Sequence, residues 1–186
     1  MTDPIPAADG ALWRRPPLPI VLACVALIAL AEAGGGAMAK FKWSIANTAR
    51  AMMLQRPAVH GLVGVREVDE EELDKLKQAI DAQLRLFHLH AEGMGVVVLT
   101  AAMIVATLVP ASPLQRWLYW LIGLGLLYPV GYLVAPALII PLGLERGKEM
   151  AEYLFWIPFG GAVIVGMWIL AAVLAREVWR RRRGVA

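Results

Sequence analysis

The sequence has a single cysteine, Cys24, in 186 residues, which excludes a disulfide framework and a metal site built from several cysteines. Charge is also scarce, because Asp, Glu, Lys and Arg make up 18% of the chain, against about 25% in soluble domains. Apolar residues take their place: 59% of the residues are hydrophobic, against about 45–50% in soluble domains. The net charge of +3 is modest and concentrates in one tail, so nucleic acid is not an expected partner. This composition predicts an integral membrane protein.

Four stretches are long enough to cross a bilayer, which takes about 20 mostly apolar residues in a helix. We therefore predict an all-α integral membrane protein with four transmembrane helices and an extramembrane helical loop between the first and second spans. Trp and Tyr residues lie near several span ends, as is typical of the membrane–water interface. The predicted segments are an N-terminal tail 1–17, spans 18–39, 88–109, 117–142 and 153–175, a loop 40–87, and a basic C-terminal tail 176–186.

The first apolar stretch has an alternative interpretation as a cleavable signal peptide. Arg14 and Arg15 precede the apolar stretch 18–30, and small-residue sites follow at Ala31–Glu32–Ala33 and Ala37–Met38–Ala39. A retained first span and a signal peptide are both compatible with this pattern.

Basic residues predict the orientation of the chain. Arg176 and the run Arg180–Arg183 lie in the C-terminal tail, and Arg14 and Arg15 precede the first span. Because Lys and Arg concentrate on the cytoplasmic side, both termini are expected there, with the loop 40–87 on the outer side. The predicted location is the bacterial inner membrane, with the lipid bilayer and other membrane subunits as partners.

The loop 40–87 is predicted to be largely helical. Residues 40–54 have apolar side chains at helical spacing, which indicates a short amphipathic helix lying on the membrane, with Trp43 at the interface. Residues 55–68 contain Pro57, Gly61 and Gly64 and are expected to be irregular. Asp69 is the predicted N-cap of a single long helix from about Glu70 to Val109, whose first turns project from the bilayer.

The third span is expected to be kinked or broken. Ser112 is the predicted N-cap of its helix, and Gln115 is the predicted capping-box glutamine. Within the span lie three prolines, each of which removes a backbone donor. They are Pro129, Pro136 and Pro141.

Ionisable residues in or near the spans gather toward the outer side. Such groups are costly in a membrane and indicate function. Glu32 lies in the outer part of the first span, and the sequence enters the second span through His88, His90 and Glu92. Glu149 and Glu152 lie at the outer entry of the fourth span.

The pattern of two histidines with a glutamate and a methionine suits a metal or haem. His88 and Glu92 are four residues apart and share a helix face, as do His90 and Met94. Imidazole binds copper, zinc and haem iron, and thioether sulfur binds Cu(I) or haem iron. The candidate cofactor-binding residues are His88, His90 and Met94, and the candidate metal ligands are His88, His90, Glu92 and Glu32.

Which cofactor is bound, if any, stays open between haem b and a transition metal such as Cu, Zn or Fe. His88 and His90 point about 160° apart around a helix and are not expected to chelate one ion. The alternative is that both rings lie at the headgroup level, while Glu32 reaches water or pairs with Lys40 or Lys42. His60 is expected to be solvated in a polar loop.

Three functions are compatible with these features. A four-span chain with this histidine pattern is similar in architecture to small membrane cytochromes and oxidase subunits. The first hypothesis is an accessory subunit of a larger membrane complex, redox or respiratory in type, without catalysis of its own. The second is a haem- or metal-binding electron-transfer protein that uses His88, His90, Glu92 and Met94. The third is a transporter or channel subunit that uses Glu32 and the broken third span.

Overall fold

The computed structural model describes residues 15–183, which are helical with short connections and no strands. The predicted N-terminal tail up to residue 14 and the last three residues of the basic tail lie outside the described residues. Four helical stretches are long and apolar enough to cross a membrane: Leu18–Leu54, Arg66–Leu108, Pro113–Leu142 and Leu144–Arg182. The individual helices are α1 (Leu18–Leu54), α2 (Arg66–Leu108), α3 (Pro113–Leu124), α4 (Val130–Leu142), α5 (Leu144–Ala151) and α6 (Gly161–Arg182).

Helix α1 continues without interruption past residue 39, where the sequence predicted the end of the first membrane span. A membrane span ending near residue 39 and a separate surface helix over residues 40–54 were expected, but the two form one helix of 37 residues. No proline interrupts this stretch, and the flexible glycines are held by contact with α2. Gly34 faces the ring of Phe87, and Gly35 faces the ring of His88. The prediction of a distinct helix lying on the membrane is therefore wrong.

Helices α1 and α2 form a long antiparallel pair. Gly95 of α2 packs against Ile28 of α1, and at the far end Arg50 of α1 meets Glu70 of α2. The prediction of a single long second helix is confirmed, since α2 is continuous over 43 residues. We call the far end of this pair, residues 40–87 with the short 3-10 helix Pro57–His60, the arm.

Buried side chains form two separate clusters. The bundle core includes Cys24 and Leu27 of α1, Val98 of α2 and Ile122 of α3. The arm core joins the two helices of the arm to the end of α4. It consists of Ala49, Met53, Leu73, Leu76, Ile80 and Ile139. The arm is therefore a packed extension of the bundle.

The start of α2 differs from the prediction. The helix begins at Arg66, and its N-cap is Val65, which has no capping side chain. Asp69 lies in the first turn, where its carboxylate accepts hydrogen bonds from the backbone N–H groups of Val63 and Gly64 at 2.7 and 3.0 Å. Asp69 is thus not the N-cap, because its side chain accepts hydrogen bonds from the loop before the helix and not from the first turn of the helix.

The connection between α2 and α3 confirms one capping prediction and corrects another. The Ser112 hydroxyl accepts a hydrogen bond from the N–H of Gln115, as expected of an N-cap. The Gln115 amide does not complete a capping box; it donates to the carbonyls of Val105 and Val109, 3.2 and 3.0 Å away. The Val109 carbonyl lies at the C-cap of α2, beyond the last intrahelical donor, and the Val105 carbonyl also accepts from the N–H of Val109 at 3.2 Å.

The predicted break in the third span is confirmed. Helix α3 ends at Leu124, a 3-10 turn covers Gly125–Leu127, and α4 begins at Val130 directly after Pro129. Pro129 cannot donate a backbone hydrogen bond, which explains the change of helix at this point. Pro136 and Pro141 lie within α4.

The last helical stretch folds back along α4 and contains a feature that the sequence did not indicate. Gly143, with a φ of 87°, allows the reversal, and Gly147 of α5 then lies against the backbone of Ile139. Residues Glu152–Gly160 form a π-helix that contains Pro158 and leads into α6. A proline ring clashes with the carbonyl four residues before it, and the wider π turn removes that clash.

Candidate functional site

Three of the predicted site residues meet between α1 and α2. The Nδ1–H of His88 donates to the backbone carbonyl of Ala31 at 2.9 Å, which leaves Nε2 facing the Glu92 carboxylate at 3.9 Å. The Glu32 carboxyl of α1 is a close neighbour of Glu92 and His88 of α2. We call Glu32, His88 and Glu92 the polar cluster. Of the ionisable residues that the sequence places toward the outer side, these three lie next to one another.

Local sequence explains why this meeting is possible. His88 and Glu92 are one helical turn apart on α2 and present their side chains to the same face. Opposite them, Gly35 brings no side chain, and a Cβ at that position would lie 3.0 Å from the His88 ring. The imidazole can therefore lie close to the α1 backbone and reach the Ala31 carbonyl.

The polar cluster is partly open to the outside of the bundle. The side chains of His88 and Glu92 are 29% and 38% exposed, and Glu32 is exposed. Two carboxyl groups beside an imidazole can hold a proton or a cation. Within residues 15–183, however, no three His, Cys, Asp or Glu side chains are grouped so that they could hold a metal ion.

His90 lies on the other side of α2, away from the polar cluster. Its Nδ1–H donates to the Leu86 carbonyl at 2.8 Å, and its ring stacks on Tyr132 with the centroids 4.7 Å apart. The ring of Tyr128 meets His90 edge-on at 5.6 Å. The structure thus places the two histidine rings on different sides of α2.

Two tyrosines contact His90, and a tryptophan packs on one of them. The hydroxyl groups of Tyr128 and Tyr132 form a hydrogen bond with the oxygen atoms 2.7 Å apart. The ring of Trp156, in the π-helix, packs on the ring of Tyr132 with the centroids 4.8 Å apart. We call His90, Tyr128, Tyr132 and Trp156 the aromatic cluster. Gly131 makes room for it, because a Cβ there would lie 2.5 Å from Nε1 of Trp156. That Nε1 atom is buried and has no hydrogen-bond partner among the described residues.

Sequence reasoning did not identify the three aromatic members of this cluster. The available signal was the spacing of Tyr128 and Tyr132, which are four residues apart and share a helix face. Trp156 could not be connected to them, because its position depends on the π-helix.

The remaining predicted residues lie elsewhere. Met94 is partly buried and packs against the bundle core. Glu149 and Glu152 are exposed on α5 and at the start of the π-helix. His60 is 6% exposed, and its Nε2 is bonded to the Ile140 carbonyl at 3.0 Å. The expectation of a solvated His60 is wrong, because the end of α4 reaches the arm and covers it.

Comparison with protein-family models, with curated proteins and with solved structures finds no match to this chain.

Proposed function

We propose that this protein is a small accessory subunit of a larger membrane-embedded complex, redox or respiratory in type, and that the arm binds the partner subunit. In this proposal the four apolar helices lie in a bacterial inner membrane with both termini in the cytoplasm. The polar cluster and the arm then face the outer side.

The observation that carries the proposal is the exposure of two large aromatic side chains on the arm. Trp43 is 79% exposed and Phe41 is 50% exposed. Aromatic side chains are enriched in protein interfaces and often supply the residues that dominate binding. A cleft of about 320 Å³ lies between the two arm helices nearby, and its rim carries charges of both signs. Those charges belong to Lys42, Asp74, Lys77 and Asp81.

The arm is also held in a defined shape. Both terminal nitrogens of Arg50 meet the two carboxylate oxygens of Glu70 at 2.5 Å, which is a bidentate pair between α1 and α2. This hydrogen bonding raises the pKa of Arg50 and lowers the pKa of Glu70. With the arm core beneath it, the pair gives a rigid surface that needs little ordering when a partner binds.

Photo-crosslinking in native membranes tests this proposal. A photoreactive amino acid replaces Trp43, and the matched control replaces Trp168 of α6, which is 74% exposed. We expect the probe at position 43 to capture one polypeptide in stoichiometric yield, and a tag on that polypeptide to recover this chain in return. Equal capture from both positions, or no reciprocal recovery, would overturn the proposal.

A second candidate function, a transporter or channel subunit, is favoured by the proximity of Glu32 and Glu92. Paired carboxyl groups from two apolar helices are typical of ion pathways. In this proposal the polar cluster binds the moving cation. We expect ion flux in liposomes from the purified chain and its loss in Glu32→Gln, with Glu149→Gln as the control. Flux that survives Glu32→Gln would rule out this role for the cluster.

A further inference from the structure

Two apolar grooves meet at one arginine near the start of α3. The first groove, of about 420 Å³, runs between α1 and α3. It is lined by Pro19, Ile20 and Ala23 on one side and by Gly123, Leu124 and Leu127 on the other. The second groove, of about 460 Å³, is bordered by Pro113 and Trp117. Arg116, Trp120 and Leu124 line both grooves.

Trp120 separates the grooves and projects outward. Its side chain is 68% exposed, and that of Trp117 one turn earlier is 66% exposed. Exposed tryptophans at the end of an apolar helix are typical of the membrane interface. The grooves therefore begin at the depth where lipid headgroups meet acyl chains.

Arg116 lies at the end of the bundle where the chain carries most of its unbalanced positive charge. Helices α3 and α6 pack antiparallel, with Gly125 against Val163 and Gly166 against Ile122, so the start of α3 is level with Arg176 and the end of α6 continues beyond it. The basic residues of this end include Arg15, Arg176 and Arg180–Arg183.

Among the described residues, negative charge is scarce at this end of the bundle. Glu177 is already bonded to Arg181 at 2.9 Å. Across residues 15–183, no carboxylate lies within ion-pair distance of Arg116. A guanidinium with unused donors at the mouth of two apolar grooves is complementary to a phosphate that carries two acyl chains.

We propose that the two grooves bind one anionic diacyl phospholipid, with its phosphate on Arg116 and one acyl chain on each side of Trp120. Basic sites between transmembrane helices on the cytoplasmic side are known to hold anionic headgroups. The second tryptophan, Trp117, borders the groove on the far side. This inference rests on the membrane location within the proposed function and is independent of any partner subunit.

Native mass spectrometry of the purified full chain tests the site. Phosphatidylglycerol or phosphatidylcholine with identical acyl chains is added to the chain in detergent, and the complex is then released from the detergent in the mass spectrometer. We expect one retained phosphatidylglycerol per chain and about tenfold weaker retention in Arg116→Gln, because a charge-assisted hydrogen bond is lost. Arg180→Gln, at the same end but outside both grooves, should retain the lipid as the wild type does.

A second variant pair tests the grooves without changing charge. A Cβ at Gly123 would have only Ile20 at 4.0 Å, so Gly123→Leu fills the first groove and should lower the retention of both lipids. Gly36→Leu, at an exposed helix position where a Cβ would have no described neighbour within 4 Å, is the matched control. Circular dichroism spectra identical to that of the wild type show that the variants are folded.

Three results would overturn the proposal: equal retention of the two lipids, unchanged retention in Arg116→Gln, or equal losses in Arg116→Gln and Arg180→Gln. The last would indicate a general attraction to the basic end. A helix of a second copy in the groove would appear as a dimer without bound lipid, and this would also overturn the proposal. Because the readout uses the isolated chain, failure here leaves the crosslinking test of the arm unaffected.

Discussion

Tyr128 and Tyr132 share a hydrogen bond between their hydroxyl groups, with the oxygen atoms 2.7 Å apart, while both rings contact His90. The pair joins the start of α4 to α2 at the point where the third helical stretch is broken. The two side chains are partly buried, and among the described residues each hydroxyl group has the other as its hydrogen-bond partner.

This relationship predicts that the two tyrosines are coupled energetically. Tyr128→Phe and Tyr132→Phe should each lower the free energy of unfolding by about 1 kcal/mol, and the double variant should cost no more than either single one. Unfolding in SDS, followed by circular dichroism, measures the cycle. Tyr153→Phe, at a 65% exposed position, is the control. Strictly additive losses in the double variant would show that the hydrogen bond contributes nothing.

The ion pair between Arg50 and Glu70 predicts a loss of arm stability in acid. The pKa of Glu70 lies below its ordinary value of about 4.5, chiefly because Arg50 donates hydrogen bonds to the carboxylate. The folded arm therefore binds this proton more weakly than the unfolded chain does. The stabilisation is present above about pH 4.5 and is lost as the pH falls through the lowered pKa.

Thermal unfolding at pH 6 and pH 3.5 measures this dependence. We expect Glu70→Gln to be less stable than the wild type at pH 6 and to lose less stability on acidification. Glu67→Gln, in the same turn of α2 and without an ion pair among the described residues, should behave as the wild type. A Glu70→Gln variant with the same acid sensitivity as the wild type would contradict the prediction.

Two glycines of the last helical stretch should respond differently to the same substitution. A Cβ on Gly147 would lie 2.6 Å from backbone atoms of Ile139, which cannot move without shifting α4. Gly147→Ala is therefore expected to destabilise the protein by about 1–3 kcal/mol. The Cβ of Gly161→Ala would have no neighbour within 4 Å among residues 15–183, so this variant should be neutral or more stable by up to about 1 kcal/mol, because alanine favours helix. Equal melting temperatures of the two variants would refute the close α4–α5 contact.

The apolar helices could be predicted from the sequence because their signals are local. Long apolar runs and the missing N–H of Pro129 act within one helix, and both the long α2 and the break before α4 were foreseen. Capping was foreseen only in part. Asp69 and Gln115 each bind backbone groups outside their own helix, and such partners depend on how neighbouring segments pack.

Which residues form the polar cluster and the aromatic cluster depends on which helices pack together. The periodicity of the sequence does not predict these helix pairs. The sequence placed Glu32 and Glu92 at similar depth but could not join them across α1 and α2. Trp156 lies in the π-helix, where side chains follow a different spacing from that of an α-helix, and from there it packs on Tyr132. Such an irregularity has no signature beyond the proline itself.

The separation of His88 and His90 gives a test of the metal hypothesis. His88 contacts Ala31 and Glu92, whereas His90 contacts Leu86, Tyr128 and Tyr132, so the two rings share no partner. If no ion joins them, the losses of stability in His88→Ala and His90→Ala should add within about 0.5 kcal/mol in the double variant.

A shared ion would make the losses non-additive, because removing either ligand would already release it. The cycle is measured by SDS unfolding with and without a chelator, alongside metal analysis and a visible spectrum of the purified chain. We expect additivity in both conditions. Non-additive losses that disappear with the chelator, together with stoichiometric metal, would instead establish that the two histidines act on one ion, with a rearranged α2.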